Sequence, residues 1–371
     1  MSGNNSAKST ASIAENTLLA KKKRGFPFKK VFFALLIVLI VFSILLLSVN
    51  IIINSYFSKV KEFDGNWQIN LELMKSMPMY ADNEGYFAQS EELHAAYDRV
   101  MRNYAQASAD IRYDESVYNY AVFGTDQFAG SSEAASADII MIVSVDEDKD
   151  HVTYLSFETK MLVYIPSVGV GPMSDAYLLG GPQLLVNTIE QNYGLHLDGF
   201  VQLDMTAFSE MVDNFGGLEF AADQKLVDRI NLDIVAFNEA KNLTGDASVK
   251  GVKLEGNKVM LNGQQTLAYI RNAGTDKSNI ANSVLSKLTA KIVEAGLGGI
   301  KDSLDISLEK MMVSFSRDDV GPLISIGFSV LETVNAIPVG VMDGREAVMH
   351  TGGYVCEYPA ERAAVIKTIY N

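Results

Sequence analysis

The chain has 371 residues, 48% of them hydrophobic, and a formal net charge of −14, which gives it enough apolar material for a sizeable core. The charge is uneven: residues 1–30 carry seven Lys/Arg and one Glu, which leaves 24 basic against 44 acidic residues, or −20, for the remainder. A surface that acidic repels nucleic acid, and the single cysteine, Cys356, excludes a disulfide within the chain.

The first 30 residues, rich in Ser, Asn and Ala, are expected to form a disordered tail. Val31–Ile53 follows as 23 uncharged residues (VFFALLIVLIVFSILLLSVNIII), long enough to cross roughly 30 Å of hydrocarbon as one helix. A cleaved leader is the rival reading, but its apolar stretch is about 7–15 residues long and ends in a small-residue cleavage site, which VNIIINSYFSK does not offer. Lys21, Lys22, Lys23, Arg24, Lys29 and Lys30 precede the span, so the N-terminus is expected in the cytoplasm and everything after Ile53 outside it, in a single-pass membrane protein.

Residues 54–115 show helical spacing with many charges. In EELHAAYDRVMRNYAQA, Leu93, Tyr97, Val100, Met101 and Tyr104 recur at three- and four-residue intervals, as a helical stalk or cap would. From about residue 116 the character changes. Tyr120–Phe123 (YAVF), Asp138–Val145 (DIIMIVSV) and His151–Phe157 (HVTYLSF) are apolar runs of strand length that do not alternate, which suits strands covered on both faces.

Helices to cover them are expected at Pro182–Tyr193, Thr206–Phe215, Ala281–Ala295 and Asp318–Val334. Pro182 fits a first helical position and Gly194 a left-handed C-terminal cap. Leu184, Leu185, Thr188 and Ile189 form the inner stripe of the first of these helices. The order of elements predicts an α/β fold in which a mixed, largely buried sheet is sandwiched between helices, in one domain over 116–371. Cys356, in GGYVCEY, reads as a small buried hydrophobe.

Two places could carry chemistry. Asp126, in a Gly-Thr-Asp turn leaving one strand, and Asp138, at the edge of the next, could meet at one sheet end, and a carboxylate pair is what Mg²⁺ needs when it also binds substrate phosphates. Turn and strand-cap aspartates that bond only their own backbone are equally common. Arg271, in LAYIRN, could grip a phosphate through a bidentate guanidinium, although an arginine following a strand is often a solvated charge.

Three segments, AVFGTDQ, DAYLLGGPQLLVNTIEQNYGLHLDGFVQLD and LNGQQTLAYIRN, resemble the LytR-CpsA-Psr family of membrane-anchored, extracytoplasmic envelope proteins. The resemblance implies transfer of a glycopolymer such as teichoic acid or capsule from a polyprenyl-pyrophosphate carrier onto peptidoglycan. It implies Asp126 and Asp138 as the acidic pair on Mg²⁺ and pyrophosphate, with Asp138 and Arg271 catalytic. Arg271, Lys160 and Lys277 would serve the phosphates, and Tyr177, Leu184, Ile189 and Phe208 would contact substrate, the apolar ones along a tunnel for the prenyl chain. Without the resemblance these apolar residues read as an ordinary closed core.

The chain departs from the family pattern where charge matters. Ser136 stands for an arginine before the buried strand, Thr159 for one in a Pro-Arg-Asp motif, Ala273 for a second arginine after Arg271, and Asn279 and Asn282 for arginines opening a helix. Each missing charge-assisted contact removes roughly 1.5–3 kcal/mol of phosphate binding. The expectation is therefore an envelope glycopolymer protein with catalysis reduced or lost. A non-catalytic polyprenyl-lipid binder and an envelope scaffold are the alternatives.

Overall fold

The computed structural model describes residues 54–125, 137–149, 151–272, 277–316, 334–339, 346–348 and 350–370. The expected span at 31–53, the tail before it and Asp126 lie outside the described residues. Among the described residues no helix is long and apolar enough to cross a membrane. The chain divides into two compact units, Met1–Ser55 and Tyr56–Asn371.

The elements run β1 (Lys61–Glu62), α1 (Leu71–Ser76), α2 (Pro78–Ala81), α3 (Asn83–Phe87), α4 (Glu91–Ala107), β2 (Val117–Thr125), β3 (Ala137–Asp146), β4 (His151–Phe157), β5 (Leu162–Ile165) and β6 (Gly169–Pro172). There follow α5 (Met173–Tyr193), β7 (Gly199–Asp204), α6 (Met205–Asn214), β8 (Leu218–Ala221), α7 (Gln224–Ala240), β9 (Lys258–Leu261), α8 (Gly263–Arg271), α9 (Lys277–Glu294) and α10 (Gly296–Ser307). The chain closes with β10 (Met311–Val313), β11 (Val334–Val339), β12 (Glu346–Val348), β13 (Gly353–Val355) and α11 (Tyr358–Tyr370).

Seven strands form one mixed sheet in the order β1-β10-β7-β2-β3-β4-β11. β2 pairs parallel with β7 and antiparallel with β3, and β11 joins β4 in parallel. Because both faces are covered, the central strands are apolar almost throughout, as the non-alternating runs predict. One face presents Ala121, Phe123, Ile140, Ile142, Leu155, Phe157 and Phe200 to a cluster that also takes in residues of α4, α5 and α11. The other presents Met141, Val145, Val152 and Tyr154, with Leu285 of α9 packed against them. On that side α6, α8 and α9 share a further cluster that includes Phe208, Ile270 and Val284.

Helix α5 holds a break that its sequence encodes. Gly180 and Gly181 have non-helical dihedrals, with φ of 67° at Gly181, so Pro182 opens a second helical segment, where its missing N–H costs nothing. The backbone carbonyl of Leu179, just before the break, accepts from Asn70 N at 2.7 Å. Gly194 ends the helix at φ 65° and ψ 44°, and its N–H donates to the carbonyl of Glu190.

Several expectations change. The segment read as a stalk or cap adds β1 to the sheet edge and contributes Tyr80, Phe87, Leu93, Ala96 and Val100 to the largest apolar cluster. LAYIR is helical, not a strand followed by an arginine: Asn262 and Gln265 form a reciprocal capping box that starts α8, and Arg271 is its last residue. Of the helix expected at 318–334 only Val334 is described, and it begins β11. Helices α7, α10 and α11 were not anticipated.

Candidate functional site

The most suggestive feature lies at the end of β2 and on the side of the sheet away from α5. Val122, Gly124, Ile139, Met141 and Leu203 on the sheet, Met205 and Phe208 of α6, Ile270 of α8, and Ala281, Val284 and Leu285 of α9 surround a small, partly enclosed apolar cavity of about 80 Å³. Gly124 helps to keep it open. A Cβ there would stand 2.5 Å from Met205 Sδ and 3.3 Å from Ile139 Cβ, so any side chain would displace Met205 and intrude on the cavity. A space with so little polar lining suits a hydrocarbon chain and offers nothing to a charged group.

One residue beyond Gly124, on the opposite, α5 face of the sheet, a polar group gathers. Thr125, Tyr177 and Gln202 are all buried there. Gln202 Nε2 donates to Thr125 Oγ1 at 3.1 Å, and the Tyr177 hydroxyl bonds to both side chains. Burial pushes that phenol up to about 12, against the opposing pull of those two hydrogen bonds. Tyr177 is thus a neutral group at physiological pH. Among the described residues, Gln202 Oε1 is buried without a hydrogen-bond partner.

The backbone register brings Asp138 to this same sheet end. Thr125, which precedes Asp126, pairs with Ala137 on one side and Asp204 on the other. Gly124 pairs with Ile139, so a bulge falls at Asp138, the residue between Ala137 and Ile139. Bulges re-aim side chains next to functional sites. Asp204, also at this end, is committed elsewhere: its carboxylate accepts from Thr206 N at 2.6 Å and caps α6. Among the described residues no group of three or more His, Cys, Asp or Glu side chains gathers as a metal site. The Asp126 and Asp138 side chains on which Mg²⁺ was expected are not among those described.

Arg271 stands directly after Ile270, a cavity residue. It is half-buried and ion-paired with Asp233 of α7: Nε lies 3.2 Å from Oδ1 and 3.1 Å from Oδ2, and a terminal nitrogen also donates to Oδ1. The side chain of Asn272 donates to Asp233 Oδ2 at 3.2 Å. Nothing in the INLDIV segment singles out Asp233, because its partner is 38 residues away in sequence.

The other expected site residues are spread out. Leu184 and Ile189 are fully buried in the cluster beneath α5 and do not line the cavity. Tyr177 is in the polar group described above. Phe208 lines the cavity. Lys160 sits exposed in the turn after β4, its carbonyl accepting from Tyr354 N at 3.2 Å. Lys277 is the first residue of α9. Asp175, beside Tyr177, accepts from Tyr80 Oη at 2.7 Å, and burial raises its carboxyl above the usual range while that bond and one from Ser174 pull it down.

Residues 85–297 match the model of the LytR_cpsA_psr family. The match begins within the segment read as stalk. Among curated relatives, the probable cell wall biosynthesis protein LcpB of Corynebacterium glutamicum is 26% identical over 169 residues, covering 45% of this chain and 40% of that protein. The regulatory protein MsrR of Staphylococcus aureus is 27% identical over 150 residues, covering 40% of each. A protein named polyisoprenyl-teichoic acid–peptidoglycan teichoic acid transferase TagU, from Oceanobacillus iheyensis, is 24% identical over 164 residues, covering 43% of this chain and 44% of its own length. The chain thus spans about two fifths of the length of these relatives. Among solved structures, protein gbs0355 of Streptococcus agalactiae aligns with a TM-score of 0.54 at 18% identity over 68% of this chain and 88% of its own. TagT bound to LIIa-WTA aligns at 0.50 and 19% identity over 70% and 93%. These two establish the likeness of fold.

Proposed function

The chain belongs to the LytR-CpsA-Psr family, and on that premise we propose that it acts in the envelope on polyprenyl-(pyro)phosphate-linked glycopolymers destined for peptidoglycan, with transfer reduced or lost. In this reading the protein is a single-pass membrane protein whose domain faces outward, and the prenyl chain occupies the apolar cavity. The name of the teichoic acid transferase relative supports the substrate class. The observation that carries the reading is an apolar cavity at the end of β2, the sheet end that carries Asp138, lined by Ile270, which directly precedes Arg271.

In a complete reaction an acceptor hydroxyl would attack the phosphorus bearing the glycan, the P–O–P bond would break, and a polyprenyl monophosphate would leave. Arg271, with Lys160 and Lys277, would meet the charge on the leaving phosphate, and Asp138 would stand at the reacting end. Mg²⁺, if held by Asp126 and Asp138, would neutralise part of the pyrophosphate charge. Against full activity stand Ser136, Thr159, Ala273, Asn279 and Asn282, uncharged residues at positions where the resemblance implies arginine. An acidic remainder of the chain adds to the deficit.

The full chain, purified in detergent and mixed with Mg²⁺ and a polyprenyl-pyrophosphate glycan, tests this. The expected result is stoichiometric lipid binding with little release of polyprenyl phosphate. Rapid release that is lost on Asp138→Ala would restore the active transferase, and absence of both binding and release would leave the scaffold role.

A further inference from the structure

Asp233 has a carboxylate where an anionic ligand of Arg271 would need to be. It takes the edge of the guanidinium formed by Nε and a terminal nitrogen, which is one of the two edges that can grip a phosphate with parallel hydrogen bonds. Both side chains are shielded, at 30% and 20% exposure, so the pair is only partly screened by water. Asn272, the next residue along, ties Asp233 Oδ2 to the end of α8. The carboxylate is therefore gripped from two consecutive positions and is not a passing surface contact.

We propose that Asp233 is a specificity-determining latch on Arg271, a built-in competitor that a phosphate or pyrophosphate headgroup must displace or face at close range. It rests on the reading of Arg271 as a phosphate ligand and adds to it an internal rival for the same cation. The consequence is selectivity by charge. A singly charged phosphodiester gains too little from Arg271 to offset the nearby carboxylate, whereas a pyrophosphate, with more charge and more acceptor oxygens, can overcome it. Asp233 thus favours the pyrophosphate-linked carrier over the bulk phospholipid headgroups around it, at the expense of affinity.

Inorganic pyrophosphate binding to the full chain in detergent, measured by calorimetry at low salt, tests this with Asp233→Asn, Asp233→Glu, Arg271→Ala and the Asp233→Asn/Arg271→Ala double variant. Like charges brought together at a site oppose binding strongly, so Asp233→Asn is expected to bind pyrophosphate about tenfold more tightly, and inorganic phosphate more tightly by a larger factor. Asp233→Glu should stay near the parent, and the gain should vanish in the double variant. If Asp233→Asn binds pyrophosphate no better, or worse, while Arg271→Ala weakens binding, Arg271 is a phosphate ligand and the latch is wrong. If neither Arg271→Ala nor Asp233→Asn alters binding, the phosphate role of Arg271 fails and the latch falls with it. Should Asp233→Asn not fold, as judged by thermal unfolding, Asp233→Ser carries the same comparison.

Discussion

The two faces of the central sheet are built from similar residues and do different things. On the α5 face, Leu184, Ile189 and Leu155 are fully buried in one apolar cluster. On the other, Leu203, Phe208, Ile270 and Leu285 stand around an empty cleft, in part because Gly124 brings no side chain to fill it. Apolar composition alone does not separate a core from a hydrocarbon site. What separates them is how closely the opposing helices pack, and a cleft is left among α6, α8 and α9. The prenyl chain is proposed to lie there and not among Leu184 and Ile189.

That contrast can be broken or sharpened by substitution. The largest effect is expected at Leu184→Ala, where truncation inside a closed core costs about 3–4 kcal/mol. Denaturant unfolding should show this loss, while lipid binding by the folded fraction is unchanged. Leu285→Trp is expected to do the reverse, filling the cleft from a half-buried position. Stability should move by no more than about 1 kcal/mol, and affinity for a polyprenyl phosphate, read by fluorescence titration, should fall by about tenfold or more. If both substitutions affect stability alone, the two faces are equivalent and the cleft is only a packing defect.

Smaller effects come from the elements that shape the α5 face. Gly181→Ala has room for the new methyl group but forces an L residue to φ 67° and ψ −162°, a region open essentially to Gly alone, which should cost about 2–3 kcal/mol in thermal unfolding. Asp175 supplies the pH signature. Its folded carboxyl titrates above its ordinary value because it is buried, so the folded state binds that proton more tightly than the unfolded chain does. The destabilisation is full above the raised value and is relieved as pH falls through it towards the ordinary aspartate range. Asp175→Asn should keep the bond from Tyr80, gain a few tenths of a kcal/mol at neutral pH, and flatten that part of the stability profile.

Much of the fold is legible in the sequence because its signals are local. DIIMIVSV can only be a strand buried on both sides, and Gly-Gly-Pro followed eleven residues after the proline by Tyr193-Gly194 marks both ends of a helix. LAYIR misleads for the opposite reason. Its aromatic and β-branched residues favour a strand, and the capping pair that makes it a helix, Asn262 and Gln265, lies just upstream. Helix α7 is less visible because its buried stripe is narrow, Val227, Ile230 and Ile234.

The site is less legible than the fold. Leu203 and Phe208 are joined by Ala281, Val284 and Leu285 only through tertiary packing, and no spacing distinguishes them from Leu184 and Ile189. The same holds for Asp233, whose role depends on an arginine in another helix. By contrast, the approach of Asp138 to the end of β2 follows from short-range pairing between neighbouring strands.

A polyprenyl pyrophosphate carrying a photoreactive group on its hydrocarbon tail tests the central claim most directly, by crosslinking to the full chain and mass spectrometry of the labelled peptides. The account predicts labels within 203–211 and 280–288, across the cleft between α6 and α9. Labels confined to 178–189 would contradict it, as they would put the lipid beneath α5, among the buried residues Leu184 and Ile189.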